Sequence, residues 1–402
     1  MTDTDTTAST LPVARTCPHA PHAEHLRLRE EAPISRVTLP TGKQAWALTR
    51  HEDVRTMVAD PRFSADRTNP DFPTLLKTQQ DATRALKPGM ISMDPPEHGP
   101  ARRAVLGEFT VKRMTAMRPR IQQIVDEHID AMLAGPRPAD LVRALSLPVP
   151  SLVICELLGV PYADHEFFQS RSAKLLNRET ALEARRGVLL DLKAYLADLI
   201  TTKETELPDD LLGRQIRKRR AEGGYDREDL ISLSFLLLIA GHETTANMIS
   251  LGTVGLLQHP EDLAAIKADP TKTPAAVEEL LRYYTIVDFA PSRLATEDVE
   301  LCGVQIKAGE GVVSLANMAN HDPDVFADPM SLDIERGARH HIAFGFGAHQ
   351  CLGQNLARLE LQIVFDTLFA RVPGLALAAA VDELPYKTDS TIYGLYQLPV
   401  TW

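Results

Sequence analysis

The chain has 402 residues and a formal net charge of −11, and its hydrophobic and charged side chains make up 44% and 24% of it. These proportions are typical of a folded protein with a large core. The acidic balance argues against a nucleic-acid partner, because phosphate binding needs a basic face. The four cysteines contain no CxxC pair, so neither a disulfide framework nor a zinc site is predicted.

The first part of the chain is predicted to hold little helix. Residues 1–22 are rich in Thr, Pro and His and suggest a flexible N-terminal arm ahead of one domain over 23–402. The polar start shows no signal for secretion and no membrane anchor, so we expect a cytoplasmic protein. Two β-type runs, 34–39 and 44–49, predict a hairpin, and a helix opens at His51. Residues 64–92 lack periodicity and predict a long loop.

Most of the remaining chain is predicted to be helical. The longest helix should run over 227–257, and its centre is apolar almost all round, which places it inside the protein. Short β-type runs follow at 300–304 and 312–315. The fold class is therefore mainly α with small β-sheets, in a single domain. The other predicted helices cover 98–108, 111–134, 140–158, 163–175, 181–204, 209–221 and 352–371.

The glycine-rich segment FGFGAHQCLG, residues 344–353, is the most informative part of the sequence. Cys351 stands where a loop becomes a helix, so free amides and the helix dipole should favour its thiolate. Gly347 and Gly353 allow the backbone to curl beneath a flat group, and Phe344 can shield the sulfur. A buried structural cysteine is the alternative. A dinucleotide loop is excluded, because no third glycine follows at the required spacing.

A second motif, AGHETT over 240–245, lies in the middle of the longest predicted helix. Glycine inside a helix costs about 1 kcal/mol relative to alanine, and a buried glutamate costs free energy unless it is paired. Ala240, Gly241 and Thr244 share one helix face. A zinc-protease HExxH motif is excluded because residue 246 is alanine. A helix kink with a capped Glu243 is the alternative.

The two motifs together resemble the cytochrome P450 family, in its soluble, actinobacterial type. The resemblance implies haem b as the cofactor, with Cys351 as the axial iron ligand whose electron donation favours cleavage of dioxygen. It implies that Glu243 relays protons from solvent and that Thr244 hydrogen-bonds dioxygen. Small side chains at Ala240 and Gly241 would leave room for dioxygen over the haem.

Two further sets of residues fit the same resemblance. Glu279 and Arg282 alone would suggest an ordinary surface ion pair, worth a few tenths of a kcal/mol. In the family such a pair is buried, and the resemblance implies that it joins Arg336 and holds the haem loop. The haem propionates need cationic partners. The implied set is His98, Arg102, Arg293 and His349.

The resemblance also predicts where substrate binds. The wall should draw on the loop 64–92, the helix pair around 167–190, the longest helix and two turns. Core packing is the alternative for each residue. Nearly all candidates are apolar, which favours a bulky hydrophobic substrate: a polyketide, a terpenoid or steroid-like compound, or a xenobiotic. The candidates are Leu236, Leu237, Ala240, Val287, Phe289, Ala290 and Ile392.

The chain contains no flavin or iron–sulfur domain, so the resemblance implies electrons from a ferredoxin and an NAD(P)H-dependent reductase. We expect a monomer that hydroxylates its substrate with dioxygen. A non-catalytic haem sensor and a peroxide-driven peroxygenase are the alternatives. A basic patch that would steer an acidic ferredoxin is predicted from Arg102, Arg103, Lys112, Arg113, Arg336, Arg339, His340 and Arg358.

Overall fold

A computed structural model describes residues 10–15, 17, 19–76 and 87–402. The predicted loop 64–92 therefore lies partly outside the described residues. No helix in these ranges is long and apolar enough to cross a membrane. The helices before the central one are α1 Ala23–Glu31, α2 His51–Ala59, α3 His98–Leu106, α4 Val111–Ala116, α5 Arg118–Ala134, α6 Pro148–Leu158, α7 His165–Leu176, α8 Leu182–Glu206 and α9 Leu211–Ala221.

The central helix and those after it complete the helical part of the molecule. They are α10 Arg227–Gln258, α11 Pro260–Ala268, α12 Thr273–Tyr284, α13 Ala316–Asn320 and α14 Gln354–Arg371. The strands are β1 Ile34–Thr38, β2 Gln44–Leu48, β3 Phe63–Ser64, β4 Ala139–Asp140, β5 Ser292–Ala295, β6 Val299–Leu301, β7 Val304–Ile306, β8 Gly311–Ser314, β9 Ala376–Leu377 and β10 Pro399–Thr401. The predicted fold class, mainly α with small sheets, is confirmed.

The strands form small sheets beside the helical body. The largest has the order β1-β2-β8-β5-β3, and β1 and β2 make the predicted antiparallel hairpin. β8 pairs parallel to β2 and antiparallel to β5. The sheet holds Arg293, because its register places this residue opposite Val312. A residue of the site is thus fixed by strand pairing.

Helix α10 passes through the largest cluster of buried side chains. Its first turn is capped by Asp226, whose carboxylate accepts hydrogen bonds from the amides of Glu228 and Asp229. The helix packs against α6, α8 and α14. An apolar helix of this kind is stable only when other helices cover it on every side. It therefore gives the site a rigid wall.

Some predicted boundaries differ from the structure. The helix predicted over 111–134 is two helices, α4 and α5, because Pro119 begins a new helix after Met117. The helix predicted over 140–158 is divided in the same way: a π-helical segment, Val142–Ser146, precedes α6, which begins at Pro148. Helix α1 was not predicted. It buries only His25 and Leu28, too few for a clear period.

The described part of the N-terminal arm packs against the body. Leu11 is buried and pairs with strand β1 through a backbone hydrogen bond to Thr38. Arg15 donates to the carbonyl oxygen of Tyr284 at 2.6 Å and lies over the ring of Tyr393. These contacts tie the arm to the end of α12. The predicted division of the chain at residue 22 stays a prediction.

Candidate active site

The glycine-rich loop is folded by its own backbone. The amide of Cys351 donates to the carbonyl of Phe344 at 2.8 Å, and the amide of Gln350 donates to Gly347 at 3.1 Å. Gly347 has φ +72°, where other residues are strained. Gly353 has φ −84°, which any residue can adopt, and a Cβ there would meet nothing within 4 Å. Gly347 is thus needed for the turn, whereas Gly353 leaves its Cα bare toward a large cavity.

Cys351 lines this cavity and is exposed there, although protein atoms surround its sulfur densely enough to shift its titration. Burial raises the pKa of the thiol above its ordinary value, and the amides of Gly353 and Gln354, which hydrogen-bond the sulfur, oppose that rise together with Arg102 and Arg358. The expected stabilisation of the thiolate is therefore present but incomplete. A metal ion bound to the sulfur would supply the rest, because a coordinating thiol loses its proton outright.

A buried polar triad lies behind the loop. Arg282 makes two hydrogen bonds of 2.7 Å to the carboxylate of Glu279, and neither side chain is exposed to solvent. The guanidinium of Arg336 donates to the same carboxylate at 3.1 Å. Arg282 also donates to the carbonyl oxygens of Asn320, Pro329 and Ser331. The structure thus brings together the three residues that the sequence had grouped.

The triad reaches the loop through one asparagine. The backbone carbonyl of Asn320 accepts from Arg282 at 2.9 Å, and its side-chain oxygen accepts from the amide of Ile342 at 2.8 Å. Ile342 in turn accepts from the amide of Gly345 at 2.8 Å. A continuous chain of hydrogen bonds therefore connects Glu279 to the cysteine loop.

Cationic groups gather along one edge of the cavity. His98 and His349 stack with ring centroids 4.0 Å apart. Burial lowers the pKa of His349 to about 3, and neighbouring cations lower it further. Burial, with a smaller contribution from Arg67, also lowers the pKa of Arg293 to about 10. The predicted set His98, Arg102, Arg293 and His349 lines the cavity together with Arg67. We call these five residues the cation cluster after its three arginines, because the lowered pKa values of His98 and His349 leave both imidazoles neutral at neutral pH.

The cation cluster fits the two carboxylates of haem b. Nε2 of His98 is buried and has no hydrogen-bond partner among the described residues. Asp94 is the acidic group that opposes the lowered pKa values of His98 and Arg293. Buried positive charge without a matching anion is unfavourable. A dianionic edge would neutralise the cluster, and the bare Cα of Gly353 and the apolar walls would accept a flat macrocycle.

Helix α10 forms another wall of the cavity through Ala240, Gly241 and Thr244. The hydroxyl of Thr244 donates to the carbonyl of Ala240 at 2.8 Å, and the helix continues without a break. A Cβ on Gly241 would lie 2.8 Å from Cδ1 of Ile154 on α6. The glycine therefore allows α6 to pack closely, a reason that the sequence did not show. That Gly241 also leaves room for dioxygen over the haem stays a prediction.

Glu243 lies outside the lining of this cavity. The residue is 4% exposed, and its Oε2 atom is 3.3 Å from Nζ of Lys387. Its neighbour Thr244 faces the cavity, because consecutive residues of a helix point in different directions. The carboxylate is thus held beside the cavity by a residue far along the chain. No pattern around Lys387 indicated this contact in advance.

The structure places some of the residues of the predicted substrate wall at the cavity, and their contact with substrate stays a prediction. Leu236, Leu237, Val287 and Ala290 line the cavity, whose volume is about 310 Å³. Phe289 and Ile392 do not. Phe289 stands between Val287 and Ala290 in the sequence, but its ring points away from the cavity. The ring packs edge-on against His25, with the ring centroids 6.1 Å apart. Ile392 is buried in the main core.

The helix pair around 167–190 also contributes no lining residue, and Ile154 of α6 takes its place. The lining residues that were not predicted individually include Ile154, Glu360 and Arg67, the last of which lies in the predicted loop 64–92. Arg67 lies in an aperiodic loop, which offered no signal. Glu360 is 1% exposed, and burial raises its pKa well above the ordinary value. Its position among the apolar residues of α14 was a signal that could have been used.

A fold of this kind, with a cysteine loop, a central helix and a cationic edge around one cavity, defines a haem-binding oxygenase. The sequence profile of the cytochrome P450 family matches residues 271–371. The chain is 50% identical to the vitamin D3 dihydroxylase of Streptomyces griseolus, over 100% of both chains. It is also 50% identical to the pentalenic acid synthase of Streptomyces avermitilis, again over 100% of both.

Solved structures agree with these relatives. The cytochrome P450 MoxA from Nonomuraea recticatena (CYP105) is 61% identical, with a TM-score of 0.91 over 98% of both chains. CYP105P1 in complex with filipin I is 43% identical, with a TM-score of 0.92 over 98% of this chain and 99% of that one. The chain belongs to the cytochrome P450 family. It is a monooxygenase whose cofactor is haem b.

Proposed function

We propose that this monooxygenase hydroxylates a bulky hydrophobic small molecule, with Cys351 as the iron ligand. The observation that carries the proposal is one cavity shared by the Cys351 sulfur, the Thr244 face of α10 and the cation cluster. A thiolate ligand favours cleavage of the dioxygen bond when the haem is bound. His98, Arg102, Arg293 and His349 would hold the propionates through charge-assisted hydrogen bonds.

The acid and alcohol of α10 have separate roles in this proposal. The hydroxyl of Thr244 faces the cavity and can turn from the carbonyl of Ala240 to a reacting oxygen. The carboxyl of Glu243 lies behind it and would carry protons from solvent. General acid catalysis of this kind typically contributes a factor of about 10² to 10⁴. This pair argues against the peroxide-driven alternative, which needs no protons delivered from solvent.

The wall of the cavity supports a hydrophobic substrate. Leu236, Leu237, Val287 and Ala290 offer no hydrogen-bonding side chain, so recognition would rest on shape and apolar contact. The relatives named for vitamin D3 and pentalenic acid, and the one solved with filipin I, carry bulky hydrophobic compounds in their names. We infer a polyketide, a terpenoid or steroid-like compound, or a xenobiotic for this chain.

We also propose that a ferredoxin supplies the electrons. Two residues of the predicted basic patch are engaged within the protein, because Arg336 is bound in the triad and Arg358 pairs with Glu278. The residues that remain exposed are Arg103, Lys112, Arg113, Arg339 and His340. If they steer an acidic ferredoxin, its apparent KM should rise steeply with ionic strength. The monomeric state and the cytoplasmic location stay predictions.

The test is turnover by the haem-loaded enzyme with a surrogate ferredoxin, its reductase, NADPH and isotopically labelled dioxygen. The panel contains vitamin D3, a macrolide and a sesquiterpene acid, with a sugar and an amino acid as polar controls. We expect label in an alcohol product of at least one hydrophobic compound. Binding spectra without product would favour a sensor. Product with hydrogen peroxide alone, unaffected by the Glu243→Gln substitution, would favour a peroxygenase.

A further inference from the structure

A second, small cavity lies beside the large one. Its volume of about 20 Å³ is enough for roughly one water molecule. Ile286 lines both cavities. The small cavity is lined by polar and charged groups that can hold a water, and Arg15, Arg178, Asp288, Lys387 and Thr391 are among them. We call it the inlet.

The side chains around the inlet are held in place. Arg178 donates to the carbonyl oxygens of Ser390 and Thr388. Arg15 donates to the carbonyls at the end of α12 and lies 3.7 Å from the carboxylate of Asp288. These bonds occupy the terminal nitrogens of both guanidinium groups, whereas Nε of Arg15 has no hydrogen-bond partner among the described residues. Lys387 differs from them, because it lines the inlet and its ammonium contacts a side chain of α10.

Lys387 stands between the inlet and Glu243. Its backbone amide donates to Gly394 at 2.8 Å, which fixes the residue in the last part of the chain. Its Nζ lies 3.3 Å from Oε2 of Glu243, and the two side chains are 15% and 5% exposed. Within the described residues, Lys387 is the hydrogen-bond donor to that carboxylate. A buried carboxylate without such a cation would be strongly disfavoured.

We propose that water in the inlet brings protons to Glu243. We also propose that Lys387 is a positioning residue, which holds the deprotonated carboxylate of Glu243 toward the inlet. This inference rests on the proposed relay role of Glu243. A proton from the inlet water neutralises the carboxylate, and the ionic attraction to Lys387 is then lost. The carboxyl is free to turn along α10 toward Thr244 and deliver the proton. The water regains its proton from solvent, so one proton enters for each one delivered.

The test compares Lys387→Met, Lys387→Arg and Glu243→Gln in the haem-loaded enzyme with the surrogate donors. Dioxygen consumption is followed, because it needs protons whether it ends in alcohol, peroxide or water. We expect Lys387→Met to lower kcat about tenfold and to raise the solvent isotope effect, with substrate affinity unchanged. Lys387→Arg should keep both values near those of the unaltered enzyme. The matched control is Lys193→Met, which removes a lysine paired at 2.9 Å with another glutamate of α10, Glu228.

The double variant separates this inference from the proposed function. If Lys387 acts through Glu243, Lys387→Met should slow the Glu243→Gln enzyme no further. If Glu243→Gln slows the enzyme but Lys387→Met does not, the proposed role of the inlet is wrong and the relay role of Glu243 still holds. An unaffected Glu243→Gln enzyme would overturn the relay itself, and the inlet with it.

A crystal structure of the resting haem-loaded enzyme gives a readout that does not depend on turnover. We expect an ordered water in the inlet within hydrogen-bond distance of Lys387 Nζ. We also expect the Glu243 side chain to leave its position in Lys387→Met but to keep it in Lys387→Arg. A dry inlet, or a Glu243 side chain that stays in place without Lys387, would contradict the inference.

Discussion

The cysteine side of the cavity and its substrate wall are built by different forces. Behind Cys351, Glu279 and Arg282 are fully buried and bound by directional hydrogen bonds that continue through Asn320 into the loop. Leu237 and Val287, on the wall, contribute only apolar surface. Directional bonds fix atoms to a few tenths of an ångström, whereas apolar contacts tolerate exchange. The comparison explains how one reaction centre can serve different substrates.

The largest expected effect follows from removing Arg282 from the buried triad that it forms with Glu279 and Arg336. Arg282→Ala leaves the Glu279 carboxylate buried without its main partner, so we expect the free energy of unfolding to fall by about 3–5 kcal/mol. Haem retention should fall with it, because the loop loses its support. Chemical denaturation and the haem-to-protein ratio measure the two effects. The control is Arg27→Ala in an exposed pair on α1, where solvent screens the interaction and no comparable loss of stability is expected.

A pH effect of a few kcal/mol should come from the same side of the cavity. Burial alone would raise the pKa of Glu278, but hydrogen bonds from His341 and Arg358 lower it from 4.5 to about 2. A carboxyl whose pKa is lower in the folded state stabilises the fold above pH 4.5 and loses that contribution as the pH falls toward 2.

Glu278→Gln should therefore be less stable than the unaltered protein at neutral pH and should lose less stability between pH 4.5 and 2. Denaturation at a series of pH values tests this. Parallel curves for the two proteins would show that the carboxyl titrates normally in the folded state.

A smaller effect is expected at Arg293, a member of the cation cluster that would hold the haem propionates. Arg293→Ala should speed haem loss about tenfold, since a charge-assisted hydrogen bond contributes roughly 1.5–3 kcal/mol. The apoprotein should become more stable, because the substitution removes a buried cation from a cluster that lacks its anion. Haem transfer to a scavenging globin measures the first effect, and denaturation of the apoprotein measures the second. Arg103→Ala, on the exposed side of α3, is the control. A less stable apoprotein would refute the unbalanced cluster.

The smallest expected effect on stability belongs to the substrate wall. Leu237→Val removes one methylene group and should cost about 1 kcal/mol or less. It should nevertheless change the order in which the panel compounds bind, as followed by the substrate-induced shift in haem spin state. The spectrum of the ferrous–CO complex should not change. An unchanged order of binding would place the substrate elsewhere in the cavity.

The cysteine side of the cavity could be predicted from the sequence more fully than the substrate wall. Cys351 was selected from the residues around it and from the resemblance to the cytochrome P450 family, and Glu279 and Arg282 from that resemblance alone. The substrate wall was harder, since an apolar residue that faces a cavity has the same pattern as one in the core. Phe289 was chosen beside Val287 and Ala290, yet it points away. Lys387 could not be found, because its partner Glu243 lies 144 residues away. Arg67 could not be selected within the loop 64–92, because that loop has no periodic pattern.

The absorption spectrum of the ferrous–CO complex tests the central claim most directly. With the thiolate of Cys351 on the iron, the enzyme should show the long-wavelength Soret band that thiolate ligation produces. Cys351→His should bind haem but lose that band, whereas Cys155→Ala, at a buried cysteine that is not part of the cavity lining, should keep it. A Soret band at the position typical of histidine ligation in the unaltered enzyme, or one that survives Cys351→His, would contradict the assignment.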